Sequence, residues 1–361
     1  MPEVLVVGAG PVGLMLAGEL RLAGVGVTVV DRLAEPMTES RAAQLTTRTA
    51  EILHERGRVA LLAEAVHEPR SHFGGLGFEM SGVDSDFRGN WKVPQYRTEA
   101  ALTEWALGLG AELVREHELV GLTQHDDHVD CAFAGKPSLR ADYVVGCDGQ
   151  DSTVRRLAEF GCTLVPATRE LLRADVTGLD IPDRKFERFE HGMAVASTRH
   201  GVTRVMVHEF GRGGTHRRPD FPTITEVWAK VTGEDISHGT PIWVDAFDNA
   251  RGHVTRYRRD RVFLAGDAAH WHMPIGGQAL NVGLQDAVSL GRHFRPGGSP
   301  DAYHDERHPV GAKILRYVVA QEDLLLGGPE IEPLRSVLAE LVALPQVQTQ
   351  LANLLSGISQ H

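Results

Sequence analysis

The strongest chemical signal lies late in the chain, in R-V-F-L-A-G-D-A-A-H-W-H-M-P-I-G-G-Q-A-L-N-V-G-L-Q-D-A-V-S-L over residues 261–290. Its spacing predicts a short apolar strand that delivers the carboxylate of Asp267, then a Gly276-Gly277 loop feeding a helix start. A carboxylate accepts hydrogen bonds from the hydroxyls of a polyol. The free N–H groups and positive dipole end of a helix favour developing negative charge. The other end of the chain carries matching chemistry. An apolar run at residues 4–7 leads into Gly8-Ala9-Gly10-Pro11-Val12-Gly13, a helical pattern over 14–23, and a second apolar run over 27–30 ending at Asp31. In a G-x-G-x-x-G one glycine makes the tight turn, one lets a pyrophosphate approach the backbone, and one packs helix on strand; the later acid reaches a ribose. A third turn, Gly146-Cys147-Asp148-Gly149, again sets small residues and an acid at the carboxyl end of an apolar strand. Together they predict a dinucleotide site at the crevice of an open parallel sheet.

The elements that must position these turns give an α/β chain. A Rossmann-like domain is expected over residues 1–72, 98–162 and 258–361, the last part including C-terminal helices. A second, mainly antiparallel sheet domain is expected over 73–97 and 163–257, because short alternating runs recur there, as at 203–209 and 242–247. A Pro/Gly-rich stretch at 211–222 interrupts that pattern. Residues 112–122 and 129–133 alternate as antiparallel strands would, with Asp126-Asp127 as the turn between them. Helical patterns run over 303–326 and 331–355. The basic run Arg256-Tyr257-Arg258-Arg259 reads as a solvated loop, and Met15, Trp105 and Phe133 as core.

A chain of 361 residues with 42% hydrophobic and 24% charged residues can bury a large core. Its net charge of −11 argues against nucleic acid or an anionic membrane as partner. Cys131, Cys147 and Cys162 form no C-x-x-C pair, which fits a reduced, cytoplasmic protein. The apolar start lacks a basic n-region and is broken at once by Gly8, Gly10 and Pro11, so it does not read as a signal peptide. No metal is expected, since His270-x-His272 has no third ligand at suitable spacing.

Four motifs in order, G-A-G-P-V-G-L-M-L-A-G-E-L, H-F-G-G-L, G-C-D-G-x-x-S-x-V-R and G-D-A-A-H-x-H-x-P-x-G-G-Q, resemble the group A flavoprotein monooxygenases, above all the aromatic polyketide tailoring hydroxylases. The resemblance implies that Gly8, Gly10, Pro11, Val12 and Gly13 hold the FAD pyrophosphate and that Asp31 and Arg32 address the adenosine. It also implies that Arg41 and Gln95 contact the cofactor, Val120 brushes the adenine, Asp148 and Gly149 serve FAD and the nicotinamide, and Asp267 takes the ribityl chain. Pro274, Gly276, Gly277, Ala279, Leu280 and Asn281 would border the isoalloxazine. The implied reaction is hydroxylation or epoxidation of a polycyclic aromatic substrate by a flavin C4a-hydroperoxide formed from O2 after reduction by NAD(P)H. No second G-x-G-x-x-G follows a strand, so the reductant would dock transiently, as NADH or NADPH. His72, Phe73, Tyr96, Met206, His208 and Trp271 are candidate substrate-lining residues, and no catalytic base is assigned.

Three departures from that family keep other readings open. Ala279 stands where a glycine is usual, the segment from Arg292 to Pro300 is short, and no thioredoxin-like domain follows. A Cβ at residue 279 would restrict the backbone beside the ring. One alternative is a non-oxidative cyclase or rearrangement enzyme on the same scaffold, with FAD structural or lost. Another is a protein that only binds a flavin or ligand.

Overall fold

The computed structural model describes residues 3–37, 42–214 and 219–358. At its centre β1 (Val4–Val7) is buried along its whole length, as a four-residue apolar run covered on both faces must be. The six-stranded sheet around it has the order Arg258–Arg259, Val262–Leu264, Tyr143–Gly146, β1, β2 (Val27–Val30), Glu112–Val114. All its pairings are parallel except that of the Arg258–Arg259 edge. The chain leaves β1 to one side for β2 and later returns on the other side, at Tyr143–Gly146. The crevice beyond the carboxyl end of β1 is therefore a topological switch point, where open α/β sheets bind ligands.

Helix α1 (Pro11–Leu22) packs its buried stripe, Leu14, Met15, Leu16, Ala17 and Leu20, on this sheet. Trp105, on the Gln95–Gly108 helix, lies against Gly18, where an added Cβ would fall 2.1 Å from the indole. Met15, Trp105 and Phe133 are core, as their sequence setting predicts.

A five-stranded antiparallel sheet follows, in the order Arg184–Arg188, Gly192–Arg199, Val202–Glu209, Glu170–Thr177, Thr240–Asp248. Alternation gives it two different faces. Leu172, Ala174, Val176, Ala194, Val205 and Val207 pack under the Phe221–Thr232 helix on Ile224, Val227 and Trp228. Leu171, Met193, Met206 and Phe247 turn the opposite way and meet Met273 and Ile275, beside the glycine loop.

Several expectations change. Residues 112–114 join the parallel sheet beside β2; Glu116, at φ 58, turns the chain before the Leu119–Gln124 strand begins. Asn90–Lys92 pairs with Gln44–Leu45 and Val66–Glu68 rather than with the five-stranded sheet. The helix at Phe221–Thr232 begins at the end of the Pro/Gly-rich stretch and runs through residues expected only to belong to the antiparallel sheet domain, although Asp220 accepts from the Thr223 N–H as an N-cap and Gly233 closes the helix at φ 78. Tyr257 is not in a solvated loop: it is fully buried, and Arg258–Arg259 forms the sheet edge. The 331–355 pattern breaks into two helices, Glu332–Val342 and Pro345–Ser356, because Pro345 starts a new first turn.

Candidate active site

The turn after β1 separates two kinds of glycine. At Gly8, with φ +107, an added Cβ would sit 2.4 Å from the Cys147 carbonyl oxygen, and at Gly13 it would sit 2.0 Å from the Gly8 carbonyl oxygen. Those glycines let backbones touch. At Gly10 and Gly149 an added Cβ meets nothing within 4 Å, so these two face open space at the crevice. Gly10 caps α1 without any side-chain hydrogen bond, and Pro11 occupies the first helical position. Unclaimed N–H groups behind a backbone that an anion can approach closely are what a pyrophosphate needs, and the site passes that test.

Asp31, at the end of β2, accepts from the Ala9 N–H (2.7 Å) and the Leu33 N–H (2.8 Å). A carboxylate offers about four lone-pair sites, so acceptor capacity remains for a diol. Arg32 is exposed, and Val120 is 53% exposed on its strand. Arg41 lies outside the described residues. The Gln95 side chain accepts from the Ala42 N–H (3.1 Å) and donates to Glu99 (2.8 Å), which ties it to its own surroundings. Asp148 also turns inward, accepting from Ser152 Oγ (2.5 Å) and the Val154 N–H (3.1 Å). Burial raises its carboxyl pKa against those donors. At that turn the open face belongs to Gly149.

Asp267, next to the Gly266 that packs on Val12 of α1, is exposed on a single helical turn after the Val262–Leu264 strand, and Pro274 is exposed too. Gly276 (φ 73) and Gly277 (φ 66) carry the left-handed backbone that feeds the Gln278–His293 helix. Ala279 lies one residue inside that helix, where a Cβ is at home, so the backbone restriction expected of it falls on the two glycines instead. Gly277 caps the helix with no side-chain hydrogen bond. The buried Asn281 amide donates to Gly277 O (2.7 Å) and Gln44 O (2.9 Å) and accepts from the Thr46 N–H (2.9 Å). Its side chain thus holds the loop in place. Leu280 is half-buried beside it.

Three residues that sequence reasoning missed support this loop. Gln44 donates to Gly276 O (3.4 Å) and accepts from Lys92 Nζ (2.8 Å), while Gln321, fully buried, lies against both Gly74 and Gly276. Their polarity gave no local signal, because the partners lie 232 residues away for Gln44. Burial and the Lys92 charge hold His72 down to about 4, and its ring packs on Phe186 at 4.2 Å.

Behind the helix lies a fully buried charge cluster. Asp286 accepts from His270 Nε2 (2.6 Å), Arg307 Nε (2.7 Å) and the Gly266 N–H (3.2 Å). Burial opposes its ionisation, but Arg307 and His270 overcome that and hold the carboxyl below its usual range. The bond to Gly266 fixes the turn that carries Asp267. His270 and His272 do not converge: His272 Nδ1 donates to Met273 O (2.8 Å) instead.

Of the substrate candidates, Met206 packs against the buried cluster of Leu171, Met193, Met273, Ile275, Leu325 and Leu326. Phe73 packs with Phe78 and the C-terminal helix instead. Tyr96 is 44% exposed. His208 is 1% exposed with both ring nitrogens against carbonyls, Glu170 O at 2.7 Å and Leu326 O at 3.1 Å, so neither nitrogen is left for a substrate. Trp271 is 5% exposed, seated over Gly252 with Arg155 4.3 Å from its ring, which makes it a packing residue.

Glu322, buried beside Arg251 and near Arg169, is pushed up to about 7 by burial despite those cations. The folded state therefore holds this proton more tightly than the unfolded chain, and stability falls as pH rises from the unfolded value of 4.5 through 7. In urea titrations, wild type should lose on the order of 3 kcal/mol relative to Glu322→Gln between pH 4.5 and 8. An unchanged difference would refute this ionisation.

Comparison with known proteins agrees with this geometry. The "FAD binding domain" family model matches residues 1–318. The chain belongs to the FAD-dependent aromatic hydroxylases. This hydroxylase is 39% identical over 381 aligned positions to the rifampicin monooxygenase of Streptomyces venezuelae, covering 99% of this chain and 79% of that one. The crystal structure of CabE, an aromatic hydroxylase from angucycline biosynthesis, superposes with a TM-score of 0.94 at 42% identity, over 100% of the hydroxylase and 76% of CabE. The Diels-Alderase PyrE3 from pyrroindomycin biosynthesis also superposes, with a TM-score of 0.92 at 30% identity, over 98% of this chain and 80% of that one. The cofactor of the hydroxylase is FAD.

Proposed function

We propose that this hydroxylase transfers one oxygen atom from O2 to an electron-rich ring or alkene of a polycyclic aromatic polyketide, with NAD(P)H as transient reductant. The observation that supports it is that two uncapped helix starts, at Gly10 and Gly277, and two acidic turns, at Asp31 and Asp267, follow strands of one sheet, with the glycine loop beside the apolar cluster that Met206 joins. FAD, when bound, supplies hydride acceptance and oxygen activation. Gly10, Pro11 and Val12 would hold its pyrophosphate, Asp31 and Arg32 its adenosine ribose, and Asp267 its ribityl chain.

The first N–H groups of the Gln278–His293 helix, from Gln278 to Leu280, would face the ring system and favour negative charge there. Met193, Met206, Phe247, Met273 and Ile275 would give the substrate an apolar wall that excludes water. We place the enzyme in the cytoplasm, in keeping with three free thiols.

The likeness to a Diels-Alderase favours one second reading, a cyclase that uses this scaffold without oxidation. Incubation of the FAD-loaded enzyme with angucyclinone and anthracyclinone phenols, NADPH or NADH, and 18O2 separates the two. Under the oxygenase reading the product gains one labelled oxygen, with matching NAD(P)H and O2 consumption. A product of unchanged mass, formed without O2 uptake, would overturn it in favour of cyclisation.

A further inference from the structure

The hairpin of Leu119–Gln124 and Val129–Phe133 ends in a turn over residues 125–128 that the flavin chemistry does not use. There His125 and His128 stack at 4.4 Å, and both point Nε2 at one oxygen, Asp130 Oδ2, at 3.1 and 3.5 Å. We propose that His125, His128 and Asp130 bind a divalent transition metal of the zinc class.

The proton inventory supports this. Asp127 Oδ1 lies 2.5 Å from His128 Nδ1, and a carboxylate oxygen can only accept, so Nδ1 carries the proton. His128 Nε2 faces Asp130 Oδ2 at 3.5 Å and is buried with no hydrogen-bond partner among the described residues. One cation between the three ligand atoms would satisfy all of them.

Distance agrees as well. Ligand atoms about 2.0–2.1 Å from a tetrahedral zinc stand roughly 3.3–3.4 Å apart. The two nitrogen–oxygen separations bracket that value, and all three ligand atoms lie within 4.8 Å of one another. Imidazole with carboxylate suits Zn2+, Co2+, Ni2+ or Cu2+ rather than Mg2+ or Ca2+. The Asp127 contact is the outer carboxylate that usually orients a ligating histidine.

One group opposes the cation. Arg140 donates to Asp130 Oδ1 (2.9 Å) and Oδ2 (3.2 Å). It is about half exposed and can swing away, and the carboxylate retains further lone pairs. Arg261 donates to Asp126 O (2.8 Å) and so ties this turn to the start of the Val262–Leu264 strand. A bound metal would clip the hairpin at that junction.

The test is titration of tag-free, metal-stripped, FAD-loaded protein with ZnCl2 at pH 7.5, followed by calorimetry. One equivalent should bind to wild type. His125→Ala and His128→Ala should each weaken it at least ~100-fold, and Asp127→Asn by roughly 10–100-fold. Arg140→Met should bind more tightly than wild type. Unaltered circular dichroism and flavin content in each variant show that the fold is intact. Absence of a stoichiometric equivalent in wild type overturns the proposal, as does its persistence in the His125→Ala/His128→Ala variant.

Discussion

A Gly10→Val variant should purify folded but colourless. Gly10 sits at φ −76 and ψ 179, extended backbone that a β-branched residue accepts, and its added Cβ meets no protein atom within 4 Å. The apoprotein therefore loses only the preference for a small residue at a helix cap, about 1 kcal/mol, which shifts Tm by a few degrees at most. The space the side chain fills is that through which a pyrophosphate must pass to reach the first N–H groups of α1. Losing those charge-assisted hydrogen bonds weakens FAD binding at least ~100-fold, or about 3 kcal/mol. Gly13→Ala is the contrasting case: its Cβ would lie 2.0 Å from the Gly8 carbonyl oxygen, so the apoprotein itself should be destabilised. Flavin absorbance after gel filtration and thermal melts of stripped protein read both effects. Wild-type FAD affinity in Gly10→Val would remove the crevice from the cofactor's path.

The largest stability effect is expected at Asp286. Replacement by alanine leaves Arg307, 1% exposed, without its carboxylate partner, and unpairing one member of a buried ion pair costs about 3–5 kcal/mol. The Asp286→Ala/Arg307→Met double variant should recover a substantial part of that loss, because the guanidinium is then no longer buried without its carboxylate. The sign of the pH effect follows from the direction of the shift. Asp286 has a lowered pKa when folded, so its contribution is complete above the ordinary value of 3.8 and disappears as pH falls through the lower, folded value. Urea unfolding at pH 7 measures the first effect. Acid titration against Asp286→Asn measures the second, and identical acid profiles would mean that Asp286 does not titrate this way.

The parallel strands and their glycine turns were legible because their signals are local. Apolar runs at 4–7 and 27–30 must be covered strands, and glycines at fixed spacing mark turns whatever lies elsewhere. The loop of Gly276 and Gly277 was legible for the same reason, and their positive φ values explain why no other residue would serve. What escaped depends on distant partners. Nothing near Gln44 or Lys92 announces that they brace a loop far along the chain, 232 residues away for Gln44, and Tyr257 is buried despite three arginines around it. His208 was misread for a related reason: an alternating strand shows which face a histidine takes, not that two carbonyls wait there. The Phe221–Thr232 helix shows a further limit, since its cap and stop residues are also loop formers.

The two helices that open on the crevice lie directly against each other. Gly283 admits Val12, with an added Cβ only 2.7 Å from its Cγ2, and Gly291 admits Glu19, at 2.4 Å from its Cβ. Locked in this way, the start of α1 and the start of the Gln278–His293 helix cannot slide apart or together. The pair works as a fixed-length gauge. A full dinucleotide would engage both marks, whereas riboflavin, which carries no phosphate, would reach only the second, so the apoprotein should discard riboflavin in favour of the longer molecule.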